Sequence, residues 1–195
     1  MLFRSNVMID SLLANREFAQ APAKTLQIAG GDPAVIDDPC GYGVVTLHRP
    51  SNVDRSDTLQ ALLAVLREVS DGLPLVFAMH PRTRANIERF GLGELLRSPR
   101  IVVLPPQGYL EMLGLLASAK LVLSDSGGLQ EESTALGVPC LTIRENTERP
   151  ITIEQGTNTL VGADPQAIRR GVDEILSGAG KRSEEHTSEL QSRQY

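Results

Sequence analysis

Short apolar runs that alternate with amphipathic segments constrain the fold of this 195-residue chain most strongly. Six runs are typical of buried strands and end at turn residues; they cover residues 43–47, 73–79, 101–104, 121–123, 139–143 and 159–161. Between them lie segments with helical periodicity, the clearest being residues 57–69, which carry five apolar residues on one face. This alternation predicts an α/β fold with a parallel sheet and helices on both faces.

The same pattern predicts where a ligand binds. Further helices are expected over residues 83–90 and 109–119, from Ser126 to about residue 136, and from Pro165 after the N-cap Asp164. In open parallel sheets, ligands bind at the carboxyl ends of the strands. Five polar or turn residues follow the predicted strands and should gather at that edge: His48, His80, Pro105, Ser126 and Arg144.

The Ser/Gly turn after the fourth strand carries the most specific chemistry. Its sequence, Ser-Asp-Ser-Gly-Gly-Leu-Gln-Glu-Glu, occupies residues 124–132. A helix that begins at such a turn presents unpaired N–H groups, which attract anions, and Gly127 and Gly128 allow a ligand to approach the backbone. The carboxylate of Glu132 can accept hydrogen bonds from a sugar diol. The turn therefore predicts a nucleotide or nucleotide-sugar site, and the alternative is a capped core helix.

Three other segments suit the same ligand. His48 can exchange protons near neutral pH, and Arg49 beside it can hold phosphate. His80 and Arg149 each lie in a loop after a strand and are candidates for substrate contact. In each case the alternative is a structural loop residue. The chain has neither a Gly-x-Gly-x-x-Gly nor a Walker pattern, which disfavours a dinucleotide oxidoreductase and a P-loop enzyme.

Composition excludes several classes of protein. The net charge of −5 argues against nucleic-acid binding through a basic surface. The two cysteines, Cys40 and Cys140, form neither a disulfide framework nor a metal site, and a reduced, cytoplasmic setting is expected. No apolar run is long enough for a membrane span, and no signal peptide is evident.

The two ends of the chain differ from its middle. Residues 1–40 contain one amphipathic piece, residues 7–18, and are interpreted as a linker and the end of a missing N-terminal domain. Residues 41–180 are predicted to form the nucleotide-binding domain. Residues 181–195 are almost wholly polar, which predicts a disordered or non-native tail, and His186 is therefore set aside as a site residue.

Taken in order, these motifs resemble the non-hydrolysing bacterial UDP-N-acetylglucosamine 2-epimerases. The resemblance runs from about residue 5 to residue 175. Its most specific parts are Asp-Ser-Gly-Gly-Leu-Gln-Glu-Glu at residues 125–132 and Thr-Glu-Arg-Pro at residues 147–150, supported by His-Arg-Pro-Ser-Asn at residues 48–52 and His-Pro-Arg at residues 80–82. Family members have two Rossmann-like domains in the GT-B arrangement, and this chain is similar to the C-terminal one.

The resemblance implies an activity and residue roles. The family interconverts UDP-GlcNAc and UDP-ManNAc by eliminating UDP and adding it back, without a nicotinamide, a metal or any other cofactor. His48 matches a catalytic histidine. Arg49, His80, Ser126, Gly127, Gly128, Glu132 and Arg149 match substrate-binding positions, with Glu132 on the ribose and Ser126, Gly127 and Arg149 on the diphosphate. The full-length enzyme is expected to be a cytoplasmic homodimer that supplies cell-surface polysaccharide synthesis.

Two other functions remain open at this point. The same fold could form the C-terminal half of a GT-B glycosyltransferase that uses a UDP-sugar, or a non-catalytic nucleotide-binding module. The family's other catalytic carboxylates lie in the first domain and have no counterpart here. The chain alone is therefore expected to be inactive as an epimerase.

Overall fold

The computed structural model describes residues 7–181 and is built on one six-stranded sheet. The strands are β1 Gly43–Thr46, β2 Leu75–Ala78, β3 Ile101–Leu104, β4 Leu121–Ser124, β5 Cys140–Thr142 and β6 Asn158–Leu160. All neighbours pair in parallel, in the order β3-β2-β1-β4-β5-β6. This is the strand order of a Rossmann domain, and the prediction of a Rossmann-like parallel sheet is confirmed.

A helix follows each of the six strands, and a short turn joins β6 to its helix. The α-helices are α1 Val7–Asn15, α2 Pro22–Ile28, α3 Pro50–Val53, α4 Ser56–Gly72, α5 Pro81–Phe90, α6 Tyr109–Ala117, α7 Gly127–Leu136, α8 Pro150–Glu154 and α9 Pro165–Leu176. Single turns of 3₁₀ helix cover Arg16–Phe18, Pro33–Asp37 and Gly93–Leu96. As expected, Asp164 caps α9, because its side chain accepts a hydrogen bond from the backbone N–H of Gln166.

The helices cover both faces of the sheet, and alternate strand residues point to opposite layers. Val45 and Phe77 lie in one core with α4 and α9, where Leu62 and Val172 are buried. Their neighbours in the strands point to the other face; Val44, Val76 and Val122 pack against α1, α2, α6 and α7. The near-continuous apolar strands seen in the sequence thus reflect a sheet that is buried on both sides.

The N-terminal segment shares the second core. Leu12 of α1 and Leu26 of α2 are fully buried. Between these helices the backbone N–H of Gln20 donates to the carbonyl of Leu110 in α6, at 3.0 Å. The carbonyl of Gln20 also lies so close to Gly114 that an added Cβ would be 1.8 Å from it. Residues 7–28 therefore pack on the sheet domain, while the proposed division at residue 40 stays a prediction.

The C-terminal tail of the sequence lies, apart from Lys181, outside the described residues, so its predicted disorder stays a prediction. The Lys181 ammonium donates to the carbonyls of Ile153 and Asn158, at 3.0 and 3.1 Å. Among residues 7–181, no helix has the length and apolar character that crossing a bilayer requires.

The packing of α1 can be tested with two neighbouring leucines. Leu12 is fully buried, whereas Leu13 is 57% exposed on the same helix. We expect Leu12→Ala to lower the free energy of unfolding by about 2–5 kcal/mol, because it removes buried methyl groups and leaves a cavity. Leu13→Ala should change it by less than about 0.5 kcal/mol. Urea denaturation measures both, and equal effects would show that α1 is not part of the folded domain.

Candidate functional site

Polar side chains gather where the strand order of the sheet reverses. The chain leaves β1 toward β2 on one side, whereas β4 lies on the other side, so a crevice opens beyond the carboxyl ends of β1 and β4. Thr46 and Ser124, the last residues of these strands, are paired in register, and their hydroxyl oxygens are 2.7 Å apart. Asp125 follows β4 directly, and His48 is the second residue after the end of β1. This is the position at which doubly wound sheets bind ligands.

Asp125 organises the crevice. Its carboxylate is fully buried and accepts hydrogen bonds from the backbone N–H groups of His48 and Arg49, at 3.0 and 2.8 Å. The amide of Asn52 donates to the same carboxylate at 3.0 Å and to the carbonyl of Ile143 at 2.9 Å. One side chain after β4 thus fixes the loop after β1 and, through Asn52, the end of β5.

The same carboxylate orients the imidazole of His48. His48 Nδ1 lies 2.8 Å from Asp125 Oδ1, so Nδ1 carries a proton and Nε2 is the nitrogen left for a ligand. The His48 side chain is 36% exposed. Burial raises the pKa of Asp125, but the hydrogen bonds from His48, Arg49 and Asn52 outweigh it, and the net pKa is below the ordinary value. Asp125 is therefore a stable anion beside His48.

His80 lies across a small cavity from His48. The centroids of the two rings are 5.7 Å apart. His80 also begins α5, because its Nδ1 accepts a hydrogen bond from the backbone N–H of Arg82 at 3.1 Å. His80 was expected either to contact substrate or to stabilise its loop, and the structure is compatible with both roles. Its Nδ1 holds the start of α5, and its ring borders the cavity. The cavity has a volume of about 230 Å³ and is lined by Thr46, Leu47, His48, Ala78, His80, Pro106, Gln107, Met112, Ser126 and Leu129.

The N-terminus of α7 opens beside this cavity. Ser126 is the N-cap residue, and its backbone N–H donates to the hydroxyl of Ser124 at 3.0 Å. The backbone of Gly127 is open: an added Cβ would meet only the Glu148 carboxylate, at 3.9 Å. Gly128 differs, because its Cα faces the methyl group of Met8, 2.9 Å from an added Cβ. Of the two glycines, Gly127 is therefore the one whose Cα points toward the loop after β5, which carries Glu148.

Charged side chains of that loop surround the helix terminus. Arg144 donates to Glu148 at 2.9 Å. The pKa of Glu148 is lowered by this hydrogen bond and by the positive charge of Arg144, and the charges of Arg49 and Arg149 add to the effect. Arg149, which is 44% exposed, pairs with the buried carboxylate of Glu131 at 3.2 Å. Arg144 and Arg149 are thus each paired, in this structure, with one of the protein's own carboxylates.

Glu132 lies one turn into α7. Burial raises the pKa of its carboxyl group, and the negative charge of Glu131 adds to the effect. Tyr109 is near enough that the charge of Glu132, after burial, contributes to a raised pKa of its phenol. Among the described residues, no side chain or backbone group donates a hydrogen bond to the Glu132 carboxylate. It can therefore accept hydrogen bonds from a ligand.

A larger cavity lies on the other side of the loop after β1. Its volume is about 580 Å³, and it is lined by Arg49, Pro50, Ser51, Asn52, Thr58, Arg144, Glu145, Asn146 and Ala163. Two guanidinium groups and one carboxylate, that of Glu145, line this cavity, so its cationic groups outnumber its anionic ones. It extends the crevice toward β5 and β6.

The structure brings the predicted residues to one edge of the sheet, but it divides them among the smaller cavity, the larger cavity and helix α7. His48, His80 and Ser126 line the smaller cavity, and Arg49 lines the larger one. Gly127, Gly128 and Glu132 belong to α7, and Arg149 contacts that helix through Glu131. Sequence reasoning did not single out Asp125, Asn52 or Glu148. The position of Asp125, directly after a buried strand and inside the Ser/Gly motif, was the available signal.

The fold defines a Rossmann-like α/β domain, and the crevice at the switch point of its sheet is the candidate ligand site. A family model described as UDP-N-acetylglucosamine 2-epimerase matches residues 5–194, and the chain belongs to this family. The UDP-N-acetylglucosamine 2-epimerase of Methanocaldococcus jannaschii is 38% identical over 175 residues, which are 88% of this chain and 47% of the relative.

Two further relatives extend the comparison. A UDP-2,3-diacetamido-2,3-dideoxy-D-glucuronate 2-epimerase of Pseudomonas aeruginosa is 40% identical over 177 residues, 90% of this chain and 45% of the relative. The crystal structure of the M. jannaschii enzyme in complex with UDP-GlcNAc and UDP superposes with a TM-score of 0.77 at 37% identity, covering 88% of this chain and 46% of that one. The chain therefore spans about half the length of the curated relatives it matches, as expected of one half of a two-domain GT-B enzyme.

The role of Asp125 as a buried anion can be tested by its effect on acid stability. Its folded-state pKa is below the ordinary 3.8, so the stability it contributes is fully present above that value and is lost as the pH falls through the lower, folded-state pKa. We expect Asp125→Asn to cost about 1–3 kcal/mol at pH 7, because an uncharged amide with one acceptor oxygen leaves buried N–H donors of the His48, Arg49 and Asn52 set unsatisfied. The cost should shrink below about pH 4.

Urea denaturation at pH 7 and pH 3 measures this difference. Asp71→Asn, at an exposed position near the end of α4, is the matched control and should have little effect at either pH. A cost for Asp125→Asn that is the same at both pH values would contradict the assignment of Asp125 as a buried carboxylate.

Proposed function

We propose that this chain is the UDP-binding half of an enzyme that interconverts UDP-GlcNAc and UDP-ManNAc by epimerisation at C2. The observation that carries the proposal is the His48–Asp125 pair, which lies beside the N-terminus of α7 at the switch point of the sheet. Membership of the 2-epimerase family supports the same reaction. The complex of the M. jannaschii enzyme with UDP-GlcNAc and UDP supports the substrate class.

The diphosphate is expected over the N-terminus of α7. Its negative charge would interact with the first N–H groups of the helix, around Ser126 and Gly127, and with Arg149 and Arg49. Glu132 lies one turn further along α7, and its carboxylate oxygens can accept hydrogen bonds from the ribose hydroxyls. Gly128 lies in the same turn, and its backbone N–H is one of those proposed to face the diphosphate, whereas its Cα packs on Met8 of α1.

His48 is the proposed catalytic residue. Elimination of UDP breaks the bond between C1 and the diphosphate oxygen and removes the proton from C2, which leaves a glycal. When UDP is added back, the bond from C1 to the diphosphate oxygen re-forms and a proton returns to the opposite face of C2, which inverts the configuration at C2. His48 Nε2 can hold or transfer a proton in the cleft because Nδ1 is fixed on Asp125. Negative charge that develops on the departing diphosphate is stabilised by the helix N–H groups and the arginines.

The other wall of the active site is proposed to come from a second domain. A reactive glycal requires exclusion of water and groups on both sides of the sugar, whereas the crevice described here is open. The full-length enzyme is proposed to be a cytoplasmic homodimer, in line with the family resemblance. A glycosyltransferase half or a non-catalytic module would bind UDP without producing UDP-ManNAc.

A carboxylated UDP-sugar is a second candidate substrate. The observation in its favour is the larger cavity, where Arg49 and Arg144 could hold a sugar carboxylate. The P. aeruginosa relative is named for a UDP-diacetamido-glucuronate. Parallel assays of the two-domain enzyme with both substrates decide between them, and Arg144→Ala should impair only the reaction of the carboxylated sugar.

The ribose assignment predicts a loss of UDP affinity in a Glu132 variant. Glu132→Ala should weaken UDP binding by about 1–3 kcal/mol, because hydrogen bonds to a charged group are lost. Glu174→Ala, an exposed position in α9 far from the crevice, is the matched control and should leave the affinity unchanged. Calorimetric or NMR titration with UDP measures both. Unchanged affinity in a folded Glu132→Ala protein would rule out the assignment.

The proposal also predicts how activity divides between the domains. The 195-residue chain alone should convert no UDP-GlcNAc to UDP-ManNAc, as followed by NMR at high protein concentration. In the two-domain enzyme, His48→Ala should lower turnover by about 10²-fold or more while UDP affinity changes little, since proton transfer contributes mainly to the rate. Turnover by the chain alone would overturn the half-enzyme proposal. Normal turnover in the variant would make His48 a structural residue.

A further inference from the structure

One buried side chain connects the two walls of the proposed diphosphate site. Gln130, in the first turns of α7, is fully buried. Its Nε2 donates to the carbonyl of Ser126, at 3.4 Å, and its Oε1 accepts from the hydroxyl of Thr147, at 2.6 Å. Ser126 caps the helix, and Thr147 belongs to the loop that carries Arg149. The amide of Gln130 therefore links the helix terminus to the arginine loop.

Thr147 passes this constraint to Arg149. The same hydroxyl that donates to Gln130 accepts a hydrogen bond from the backbone N–H of Arg149, at 2.9 Å. The Arg149 side chain then reaches Glu131, the residue next to Gln130 in α7, at 3.2 Å. Arg149 is thus held on α7 by two connections, one through its backbone and one through its guanidinium group.

The loop has few other restraints. Between the end of β5 at Thr142 and the start of α8 at Pro150, it contains no helix or strand. Three more side-chain hydrogen bonds restrain it: Asn52 donates to the carbonyl of Ile143, Thr152 donates to the carbonyl of Arg149, and Arg144 donates to Glu148. None of these three connects the loop to α7. Burying the amide of Gln130 costs free energy that burying an apolar side chain of the same size would not. The hydrogen bonds of the amide offset this cost, and they can form only when Ser126 and Thr147 are correctly placed. They specify one position of the loop.

From these contacts we infer that Gln130 and Thr147 form a positioning pair that holds Arg149 at the N-terminus of α7 to receive the diphosphate of a UDP-sugar. The inference rests on the proposed function, because it assumes that Arg149 contacts phosphate. Thr147 is a positioning residue rather than a catalytic one, since it acts through Arg149. The pair sets the distance between the two sources of positive potential, the guanidinium group and the helix terminus.

Variants of Thr147 test the pair through UDP affinity. Thr147→Val keeps the shape and removes the hydroxyl, so the dissociation constant of UDP should rise about five- to tenfold. Thr147→Ser keeps the hydroxyl and should restore an affinity within about twofold of the wild type. In an Arg149→Ala background, Thr147→Val should add less than about a twofold change, because the residue it positions is gone. The 195-residue chain is titrated with UDP by NMR, which reports weak binding, and thermal unfolding confirms that each variant is folded.

A second readout does not depend on UDP. In the ligand-free chain, the Nε–H proton of Arg149 should exchange with water faster in Thr147→Val than in the wild type or Thr147→Ser, because the guanidinium group would leave Glu131 more often. If Thr147→Val does not fold, Thr147→Ala replaces it, since it also removes the hydroxyl that connects Gln130 to Arg149, and the same rise in the dissociation constant and in the exchange rate is expected.

The outcomes separate the two proposals. Absence of UDP binding by the wild-type chain would count against the proposed function, and the exchange rate of Arg149 would still test the pair. An unchanged exchange rate in Thr147→Val would overturn the inference. So would equal losses of UDP affinity in Thr147→Val and Thr147→Ser, or a full additional loss in the Arg149→Ala background.

Discussion

The buried carboxylate of Asp125 is the interaction on which the crevice depends. It lies where two strands that are distant in sequence become neighbours, and it accepts hydrogen bonds from the loop after β1 through His48, Arg49 and Asn52. A buried anion is stable only when such donors surround it. The loop therefore adopts the conformation that satisfies the carboxylate, and this conformation also turns His48 Nδ1 toward it and Nε2 toward the cavity. The hydrogen bonds that fix the loop after β1 are therefore also the ones that orient His48 for its proposed catalytic role.

Most of the fold follows from local patterns in the sequence. Four of the six predicted strands contain the observed one, whereas β4 runs one residue further, to Ser124, and β6 begins one residue earlier, at Asn158. The limits of α7 and α9 follow from Ser126, Gly137 and Asp164. The short helices α2, α3 and α8 were not predicted. Each begins at a proline, Pro22, Pro50 or Pro150, which favours the first turn of a helix but also occurs in loops. Only tertiary contacts, such as the burial of Leu26, decide between the two.

The site was less predictable, because its electrostatics depend on pairs that are remote in sequence. His48 and Ser126 could be placed at one edge of the sheet from strand order alone. That Asp125 is buried under the β1 loop, or that Arg149 lies on Glu131, depends on how three loops pack. From the sequence alone, a carboxylate in a Ser/Gly turn is interpreted as an exposed helix cap. The burial of Asp125 follows only from the hydrogen-bond donors that surround it. The motif thus indicated the ligand class, whereas the partner of each charge required the structure.

The arrangement of charges around α7 suggests why the loop after β5 carries acids among its arginines. Arg49, Arg144 and Arg149 together would repel one another beside the positive end of the helix. Glu148 offsets this repulsion, as the lowering of its pKa by these three arginines indicates. A diphosphate at the α7 terminus would carry more negative charge than one carboxylate and could contact both the helix and the guanidinium groups of Arg49 and Arg149. Because Glu148 is exposed, its displacement by such a ligand would require little desolvation, so the folded loop can remain stable in both states.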